Sequence, residues 1–255
     1  MSQGLQLEHY DQGVLHCLFD RHELDHFSPD MLNAQYWQAQ NAITGSAQGR
    51  GTTWFVQYNS QIGKPAKQWV LRHYYRGGLI GKIIHDSYLF TSYKNTRAAK
   101  EFALLAHMQT LALPAPKPIA YRVIRHGLFY RADLLSSRIE DAQDLVALLA
   151  TKTIDESLWT KIGATIKYFH DHDIYHHDLN AHNILISKQQ EVFLIDFDQG
   201  EVRTTNQKRW QQSNMQRLLR SFRKEQNKLS NFHWRDENWQ MLLNGYHHKA
   251  PTSNT

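Results

Sequence analysis

The segment that most restricts the fold of this chain is residues 174–200, IYHHDLNAHNILISKQQEVFLIDFDQG. Within it, the apolar runs ILI and VFLI are separated by the polar turn SKQQE, and this pattern predicts a tight β-hairpin. Asp178 and Asn183 lie in the loop that enters the hairpin, and Asp196 directly follows its second strand. The sequence therefore predicts two carboxylates and one amide carried by a single short hairpin.

These residue types at these positions match the needs of phosphoryl transfer. One carboxylate must accept the proton of the attacking hydroxyl, and an Asn and an Asp must hold Mg²⁺ on the nucleotide. Asp178 stands five residues before Asn183, and Asp196 follows thirteen residues later. Because a single Asp or Asn in a loop usually forms a turn, the prediction depends on the whole set.

The pattern resembles the H-R-D-L-x-x-x-N and D-F-G signatures of the protein-kinase-like superfamily. The resemblance implies that Asp178 is the catalytic aspartate and that Asn183 and Asp196 are the metal ligands. It also implies an in-line transfer from Mg·ATP to a hydroxyl group, with no covalent enzyme intermediate.

The chain departs from the kinase pattern at three places. His177 stands where many protein kinases have the Arg that pairs with a phosphorylated activation loop. Asp198 replaces the Gly of D-F-G, and we expect Gly200 to supply the backbone freedom that is lost there. Only a short segment without an A-P-E motif precedes the helical pattern of residues 211–224. A protein substrate is therefore not expected.

The histidines of this segment allow a different interpretation, a metal site formed by His176, His177 and His182. Adjacent residues point in different directions, however, and the H-E-x-x-H spacing is absent. We expect His176 to pack beneath the catalytic loop instead.

Three glycines, Gly45, Gly49 and Gly51, lie in GSAQGRG, directly before the alternating strand pattern TTWFVQY. Glycines in such a turn let backbone N–H groups approach a triphosphate closely. No GK[ST] follows, so this is not a Walker A loop, and a plain hairpin turn is the alternative. Its position ahead of a basic strand favours a nucleotide-binding loop.

That basic strand is predicted in WVLRHYY, where Arg72 takes the place of the Lys in the kinase pattern V-A-I-K. Arg keeps the positive charge that the α- and β-phosphates need, although its geometry differs. Lys82 is the competing residue, and a solvated strand edge is the alternative. Glu101 lies on the predicted helix TRAAKEFALLAHM and matches the glutamate that pairs with the strand cation, unless it is a surface residue.

The remaining segments give a coarse secondary structure. Residues 30–43 have a helical pattern, and the three alternating prolines of residues 113–120 predict an extended connection. Residues 120–135 read as a hairpin turning at Gly127, and residues 133–138 match the hinge. The longer helical pattern of residues 155–174 leads directly to the catalytic loop, and its apolar stripe predicts a core face. That stripe consists of Leu158, Ile162, Ile166 and Phe169.

The composition limits the class of protein. The 255 residues suit one two-lobed domain or two small ones, and the one cysteine, Cys17, rules out an internal disulfide framework. We expect neither a signal peptide nor a membrane-spanning segment, because no suitable apolar run occurs. The formal charge of +5 favours an anionic partner such as a nucleotide, a phosphorylated lipid or a membrane surface.

Finer features narrow the resemblance to one family. They are VLRHYYRGGLIGK, TRAAKEF, LPAPKP, YHHDLNAHNIL with LIDFDQG, and NMQRLLRSFRK. Together they resemble the Kdo kinases, the lipopolysaccharide core kinases that act on 3-deoxy-D-manno-octulosonic acid (Kdo), over nearly the whole chain. The resemblance implies an α+β, two-lobed protein-kinase-like fold with a small antiparallel β-rich N-lobe, a mainly helical C-lobe and a shortened activation segment. A single domain is expected over residues 1–255, with an N-lobe at about 1–135, a C-lobe at about 138–250 and a tail at 251–255.

The resemblance also implies a reaction and a location. The family transfers the γ-phosphate of ATP to the 4-hydroxyl of a Kdo sugar on a lipid A precursor. It works at the cytoplasmic face of the inner membrane of Gram-negative bacteria, as a peripheral protein. We expect ATP and Mg²⁺ as cofactors, and neither a nucleic acid nor an obligate protein as partner. Arg76 and Lys82 are candidate substrate-binding residues, because both Kdo and its lipid carry negative charge.

The helix RLLRSFRK near the end of the chain has two interpretations. Arg217, Arg220, Arg223 and Lys224 alternate with apolar residues, as a helix lying on anionic lipid requires. An ordinary helix with a buried apolar face would show the same pattern. Trp210, Trp234 and Trp239 share this ambiguity between a core and an interfacial belt.

Three other functions are compatible with parts of the sequence. One is a different small-molecule kinase, of aminoglycoside or choline type, because the short activation segment suits it equally. Another is a non-catalytic pseudokinase that binds only nucleotide or anionic lipid, although intact Asp178, Asn183 and Asp196 speak against it. The third is an RNA-linked atypical kinase, which the scattered cations disfavour.

Overall fold

The structure, a computed structural model, describes residues 4–48, 51–59, 65–75, 86–204 and 209–248. The chain divides into two compact units, which are described separately below. The first contains Met1–Thr110 and Pro116–Arg138, and the second contains Leu111–Ala115 and Ile139–Thr255. The expected assignment of both lobes to one domain stays a prediction.

The first unit is built on an antiparallel sheet. Its elements are β1 (Leu7–Gln12), β2 (Leu15–Asp20), α1 (Ala34–Ala39), β3 (Ile43–Gln48), β4 (Thr52–Tyr58), β5 (Lys67–His73), β6 (Tyr88–Leu89), α2 (Arg97–Thr110), β7 (Pro118–His126) and β8 (Phe129–Ser137). Short 3₁₀ helices cover Pro29–Leu32 and Tyr93–Asn95. The strand order is β1-β2-β7-β8-β5-β4-β3, and β6 pairs with β8.

The second unit is mainly helical. Its elements are β9 (Ala142–Asp144), α3 (Leu145–Thr151), α4 (Glu156–Asp171), β10 (Ile174–Tyr175), β11 (Ile184–Ser187), β12 (Val192–Leu194), β13 (Glu201–Val202), α5 (Arg209–Lys228) and α6 (Asp236–His247), with a 3₁₀ turn at Ala181–Asn183. Three strands form a sheet in the order β12-β11-β9, and β10 pairs with β13. A β-rich unit followed by a helical one confirms the α+β, kinase-like fold.

A buried ion cluster holds the centre of the first sheet together. Arg122 on β7 donates from Nε to Asp133 Oδ2 on β8 at 2.9 Å, and Nη2 donates to the Leu32 carbonyl at 2.7 Å. On the other side of Asp133, His73 Nδ1 lies 2.7 Å from Oδ1. Burial lowers the pKa of His73, but the hydrogen bond to Asp133 and the charges of Asp133 and Asp86 outweigh that effect and raise the pKa. The cluster fixes β5, the strand that carries Arg72, against β8.

Two local predictions are corrected by the structure. Residues 30–43 do not form one helix: the Asn33 side chain accepts from the Gln35 N–H and caps a new, short α1, and Asn41 then adopts a left-handed φ of 51° before β3 begins. The hinge predicted at residues 133–138 starts too early, because β8 continues to Ser137 and pairs with β5 over that stretch. The first unit ends one residue later, at Arg138.

The helix α4 matches its sequence pattern closely. Asp155 caps its N-terminus by accepting from the Leu158 N–H at 2.8 Å. The predicted apolar stripe is buried, as expected for a core face. All four of its members are at most 4% exposed: Leu158, Ile162, Ile166 and Phe169.

The structure resolves the two interpretations of the C-terminal helix in favour of the core. Leu218 and Phe222 of α5 are completely buried, and the Phe222 ring lies 5.7 Å from Trp159 and 5.5 Å from Trp234, centroid to centroid. Trp210 and Trp239 are also buried, so neither belongs to an interfacial belt. These apolar side chains therefore cannot contact lipid while the unit is folded.

The helices α4 and α6 touch through their backbones at two glycines. A Cβ atom at Gly163 would lie 1.9 Å from the Leu242 carbonyl oxygen, and one at Gly245 would lie 1.9 Å from the Thr160 carbonyl oxygen. No carbon atom fits at such a distance, so both positions require glycine. This contact fixes the helix that delivers the chain to residue 174.

We expect Gly163→Ala to destabilise the protein, although alanine normally improves a helix interior by about 1 kcal/mol. The added carbon must push α4 and α6 apart, and overpacking of this kind costs roughly 1–3 kcal/mol. Urea denaturation monitored by circular dichroism measures the change. Ala164→Leu is the matched control, because Ala164 is the exposed neighbour and its substitution should alter stability by less than about 0.5 kcal/mol. Equal stability of Gly163→Ala and wild type would contradict the backbone contact.

Candidate active site

The loop between β10 and β11 carries Asp178, and a buried histidine organises it. His176 is 2% exposed, and its Nδ1 accepts from the Asp178 N–H at 3.2 Å. Its Nε2 lies 2.9 Å from the Ile195 carbonyl oxygen, one residue before Asp196. Burial lowers the pKa of His176, so the ring is neutral, and only a neutral ring can both accept and donate in this way. One imidazole thus ties Asp178 to the strand end that bears Asp196.

The hairpin of β11 and β12 brings Asn183 to the same place. Ile184 is paired with Leu194, and the Ile195 N–H donates to the Asn183 carbonyl oxygen at 3.0 Å. The Asn183 side chain reaches back into the loop, where its Nδ2 donates to the Asp178 carbonyl oxygen at 2.9 Å. Hydrogen bonds therefore link the segments of all three predicted residues.

This arrangement suits an oxygen-liganded cation. Since Nδ2 of Asn183 is engaged with Asp178, the amide oxygen is the atom that Asn183 has for a ligand role. With the carboxylate of Asp196 it makes an amide and carboxylate donor set, which Mg²⁺ accepts. The binding of metal by these two residues stays a prediction.

Asp196 has a backbone conformation that few residues adopt. Its φ is +61°, in the left-handed region, where Asp is one of the side chains that are tolerated. Conformations of this kind cluster at functional sites, because the surroundings must hold them in place. Here Phe197 supplies part of that support: it is fully buried, with its ring 4.7 Å from that of His176.

The expectation for Gly200 is wrong. Among the described residues, only Gly13 and Gly127 are glycines with a positive φ, whereas Gln199 has a φ of +60°. The Gly200 N–H donates to the Phe197 carbonyl oxygen at 2.7 Å and closes a tight turn. The left-handed residue of the turn is therefore Gln199, not the glycine.

One face of α5 supports the catalytic loop from below. Asn214 is 1% exposed; its Oδ1 accepts from the His176 N–H at 3.4 Å and its Nδ2 donates to the His176 carbonyl oxygen at 2.9 Å. Two turns later, Ser221 Oγ accepts from the Ala181 N–H at 3.0 Å. The same face carries Arg217, whose Nη1 lies 3.7 Å from Asp178 Oδ1. The helix therefore satisfies backbone groups of the loop that would otherwise be buried without a partner.

In the first unit, Arg72 and Glu101 form an ion pair between Nη2 and Oε2. Glu101 is 4% exposed and also accepts from the Tyr74 hydroxyl at 2.6 Å. The Arg72 guanidinium lies 4.9 Å from the centroid of the Tyr74 ring. These contacts hold the arginine in one geometry; its role in binding phosphates stays a prediction.

Two glycines of GSAQGRG are described: Gly45 lies in β3 and Gly51 directly precedes β4. Gly45 follows a bulge in β3, and Gln48 pairs with Thr52. Gly51 has a packing reason to be glycine, because a Cβ there would lie 2.0 Å from the Tyr75 ring. Gly49, Arg76 and Lys82 fall outside the described residues. Nucleotide binding by the three glycines and substrate binding by the two cations remain predictions.

The alternative histidine metal site is wrong. Among the described residues, three metal-ligating side chains come within reach of one ion only at His9, Asp11 and His16. His176 uses both ring nitrogens within the protein, and His182 Nδ1 lies 3.1 Å from Asp144.

The group at His9, Asp11 and His16 is explained by hydrogen bonding. Nδ1 of His16 lies 2.5 Å from Asp11 Oδ1, and Nε2 lies 3.3 Å from the Tyr121 hydroxyl oxygen. The ring also stacks on Tyr93, with 4.4 Å between the centroids. His16 is thus a satisfied, buried histidine of the first sheet.

Comparison with known proteins identifies the family. The sequence model of the lipopolysaccharide kinase (Kdo/WaaP) family matches residues 34–246, which is most of the chain. The chain belongs to this family. Curated proteins named 3-deoxy-D-manno-octulosonic acid kinase also resemble the chain over most of their length.

Three of these relatives show how close the similarity is. The protein from Photobacterium profundum is 45% identical over 89% of this chain and 93% of its own length. The protein from Vibrio vulnificus strain YJ016 is 47% identical over 86% of this chain and 90% of its own length. The protein from Mannheimia succiniciproducens is 45% identical over 95% of this chain and 99% of its own length.

Membership in the lipopolysaccharide kinase family makes this chain a phosphotransferase that acts on an alcohol group. The matched residues begin at α1 and end in α6, so they include every candidate catalytic and metal-binding residue, while β1 and β2 precede them. Across the described residues, no helix combines the length and apolar character that a bilayer crossing demands.

Three residues that contact Arg72 or the catalytic loop, each within its own unit, were not found from the sequence. Tyr74 is two positions after Arg72, and residues two apart in a strand lie on the same side of the sheet. This spacing could have indicated that Tyr74 lies beside Arg72. Asn214 and Ser221 are polar residues that lie beside the buried Leu218 on α5. Buried polar side chains in a helix indicate a partner elsewhere, but they do not identify it.

We expect Asn214→Leu to weaken both stability and catalysis. Leucine fills a similar volume but leaves the N–H and the carbonyl of His176 buried without partners, at a cost of about 2–4 kcal/mol for the two groups. Denaturation and turnover measure the effects. Gln216→Leu is the control, because Gln216 is exposed on the same helix; if both variants behave alike, Asn214 does not anchor the loop.

Proposed function

We propose that this protein transfers the γ-phosphate of ATP to the 4-hydroxyl of a Kdo sugar on a lipid A precursor, in lipopolysaccharide core synthesis. The observation that carries the proposal is the His176 contact that ties Asp178 to the segment of Asp196, with Asn183 bonded to both. The identity of the acceptor comes from the relatives, which are named 3-deoxy-D-manno-octulosonic acid kinase. The 4-hydroxyl and the lipid A carrier come from the resemblance of the sequence to the Kdo kinases.

Asp178 has the chemistry and the access of a catalytic base. Its side chain is 54% exposed, so a substrate hydroxyl can reach it, while its backbone N–H and carbonyl are both hydrogen-bonded within the loop. A carboxylate fixed in this way orients the hydroxyl and accepts its proton as the phosphoryl group is transferred. Positioning of this kind supplies a large part of the rate in such reactions.

Asn183 and Asp196 would hold Mg²⁺, and that ion would neutralise charge on the phosphates of ATP. Arg72 would contact the α- and β-phosphates from the first unit. Its ion pair with Glu101 and the hydroxyl of Tyr74 keep the guanidinium oriented before ATP arrives, and a preoriented cation stabilises the developing charge without reorganisation.

The acceptor explains the charge of the chain. A sugar acid on a phosphorylated lipid is anionic, and the chain has a formal charge of +5 and a pI of about 9.2. Attraction between opposite charges would bring the protein to the cytoplasmic face of the inner membrane, where we place it as a peripheral protein. Because the apolar residues Leu218 and Phe222 of α5 are buried, charged groups and other surfaces must provide this contact.

The test is phosphorylation of a defined acceptor. Purified protein, Mg·ATP and Kdo-bearing lipid A precursor should give a lipid whose mass increases by one phosphate, and fragmentation should locate it on Kdo. A chelator should stop the reaction and added Mg²⁺ should restore it. Transfer to aminoglycosides or choline, but not to Kdo, would favour another small-molecule kinase, and no transfer at all would favour a pseudokinase.

We expect Asp178→Asn to lower kcat by about 10²–10⁴-fold, because the amide cannot accept the hydroxyl proton. Nucleotide affinity should stay within about twofold, since the substitution preserves the size of the side chain and both backbone hydrogen bonds. Asp236→Asn is the control, an exposed aspartate of the same unit. Turnover of Asp178→Asn at the wild-type rate would refute the assignment of the base.

A further inference from the structure

Four large apolar side chains of the first unit are exposed near one another at the ends of its hairpins. The exposed fractions are 55% for Val14, 63% for Leu89, 70% for Leu128 and 40% for Phe129. We call these four residues the tip surface. Single exposed apolar residues are common, but a group of them marks a surface that another molecule covers.

Backbone pairing brings the four residues to the same end of the sheet. Leu89 of β6 is the register partner of Phe129 in β8, and the Phe90 N–H donates to the Leu128 carbonyl oxygen at 2.8 Å. The turn between β1 and β2 joins them, because the Arg125 N–H donates to the Val14 carbonyl oxygen at 2.9 Å. Two turns and the short strand β6 thus carry these apolar residues at one end of the sheet.

Cations border this surface. Arg125 is exposed, with its guanidinium 4.7 Å from the centroid of the Phe90 ring. The Arg131 side chain is 50% exposed, and its Nε lies 2.9 Å from Asp86 Oδ2. A cavity of about 270 Å³ lies here, lined by Ser87, His126, Phe129 and Arg131.

We infer that the tip surface docks on an anionic lipid bilayer, with the apolar tips among the acyl chains and the arginines at the phosphate groups. Long cationic side chains beside buried apolar groups are the arrangement that an interface between water and lipid favours. A two-fold dimer through this surface would bring the Arg125 charges of both copies to one interface, and these like charges oppose it. The choice of a bilayer also rests on the proposed function, in which the acceptor is a lipid.

Binding to vesicles tests this without any catalytic step. The probes are vesicles of phosphatidylcholine alone and of phosphatidylcholine with phosphatidylglycerol, assayed by co-sedimentation in the absence of ATP. Wild type should bind the anionic vesicles, Leu128→Gln should bind them about tenfold more weakly, and Arg125→Gln about fivefold more weakly. Val202→Gln is the control, an exposed apolar residue of the second unit.

The outcomes separate the alternatives. Unchanged binding of Leu128→Gln, or equal binding to neutral and anionic vesicles, would overturn the inference. Loss of a wild-type dimer on gel filtration of Leu128→Gln would assign the surface to a second copy instead. A protein that binds vesicles but does not phosphorylate Kdo would contradict the proposed function and leave the docking surface intact.

A different observation concerns Arg217 and the acceptor. Its Nη1 lies 3.7 Å from Asp178 Oδ1, an ion-pair distance that is longer than a hydrogen bond. Among the described residues this is its one ion pair, so the fork of N–H donors on the guanidinium is not consumed by the protein. The loose contact also leaves the Asp178 carboxylate able to accept from a hydroxyl.

The catalytic loop itself contains no permanent cation. Residues 176–183 read HHDLNAHN, without Lys or Arg. Asn180 is occupied at both ends, because Nδ2 donates to the Asp178 carbonyl oxygen at 3.0 Å and Oδ1 accepts from the His182 N–H at 2.9 Å. Among the residues that the structure describes, the cation beside the base is therefore Arg217 on α5.

The neighbours of Arg217 on α5 fix the position of its backbone. In the sequence it lies between Asn214 and Ser221, which bind the loop, and directly before the buried Leu218. Its side chain is 42% exposed, so a ligand can reach it. The arginine is thus fixed at its base and open at its tip.

We propose that Arg217 binds the carboxylate of the sugar acid acceptor and so selects for an acid. Arg217 contacts the side chain of Asp178, which meets the acceptor hydroxyl, whereas Asn183 is tied to the main chain of Asp178. In Kdo a single methylene separates the carbon that bears the carboxylate from the carbon of the 4-hydroxyl. One acceptor can therefore contact Asp178 and Arg217 together, an inference that rests on the proposed function.

The test compares a natural acceptor with an analogue whose carboxylate is a carboxamide. For wild type, kcat/KM should fall about ten- to a hundredfold on the amide, the loss expected for a charged hydrogen-bonded pair. Arg217→Gln should lower kcat/KM on the natural, acidic acceptor by the same factor. This variant should then phosphorylate the acid and the amide with nearly equal kcat/KM. The KM for ATP should stay within about twofold. Arg209→Gln is the control, since it removes the same charge from an exposed position of α5.

Each result has one meaning. Wild-type discrimination retained by Arg217→Gln would eliminate the carboxylate role while leaving Kdo kinase activity established. A rise in KM for ATP instead would assign Arg217 to the γ-phosphate, which also contradicts the proposal. Failure of the wild type to phosphorylate the natural acceptor would remove the proposed function and this inference with it.

Discussion

The contact on which the rest of the site depends is the pair of hydrogen bonds made by the neutral ring of His176. One nitrogen accepts from the Asp178 N–H and the other donates to the Ile195 carbonyl, so a single buried side chain sets the spacing between two segments nearly twenty residues apart. Burial keeps the ring uncharged, and the packing of Phe197 beneath it keeps it in place. The helix α5 completes the arrangement, because Asn214 satisfies both backbone groups of the same histidine.

The parts of the structure that follow from local pattern could be predicted from the sequence. The apolar runs flanking SKQQE become β11 and β12, the stripe of α4 is buried, and the antiparallel and helical units match the family resemblance. The Arg72–Glu101 ion pair could also be expected, because spacing and resemblance agree on both members. In each case the deciding forces act within one element or between residues that a known pattern relates.

The failures have physical causes that the local pattern does not contain. Residues 30–43 have helical periodicity, but Asn33 captures a backbone N–H and starts a new helix, and Asn41 adopts a left-handed conformation. At the turn after Phe197, the left-handed φ lies at Gln199 although a glycine follows it. The face of α5 is amphipathic in sequence, but whether core or lipid covers it depended on Trp234, beyond the end of the helix, and on Trp159, which is distant in the chain.

The choice of an amide at position 214 has a consequence for how the enzyme responds to acid. A carboxylate there could accept from the His176 N–H, but it would gain a proton at low pH and change its bonding, whereas the amide has no titration in water. Burial also lowers the pKa of the neighbouring His170 to about 4, and that of His176 in the same direction. Both buried histidines beneath the loop therefore stay neutral on mild acidification, and the hydrogen bonds that Asn214 makes to His176 are kept.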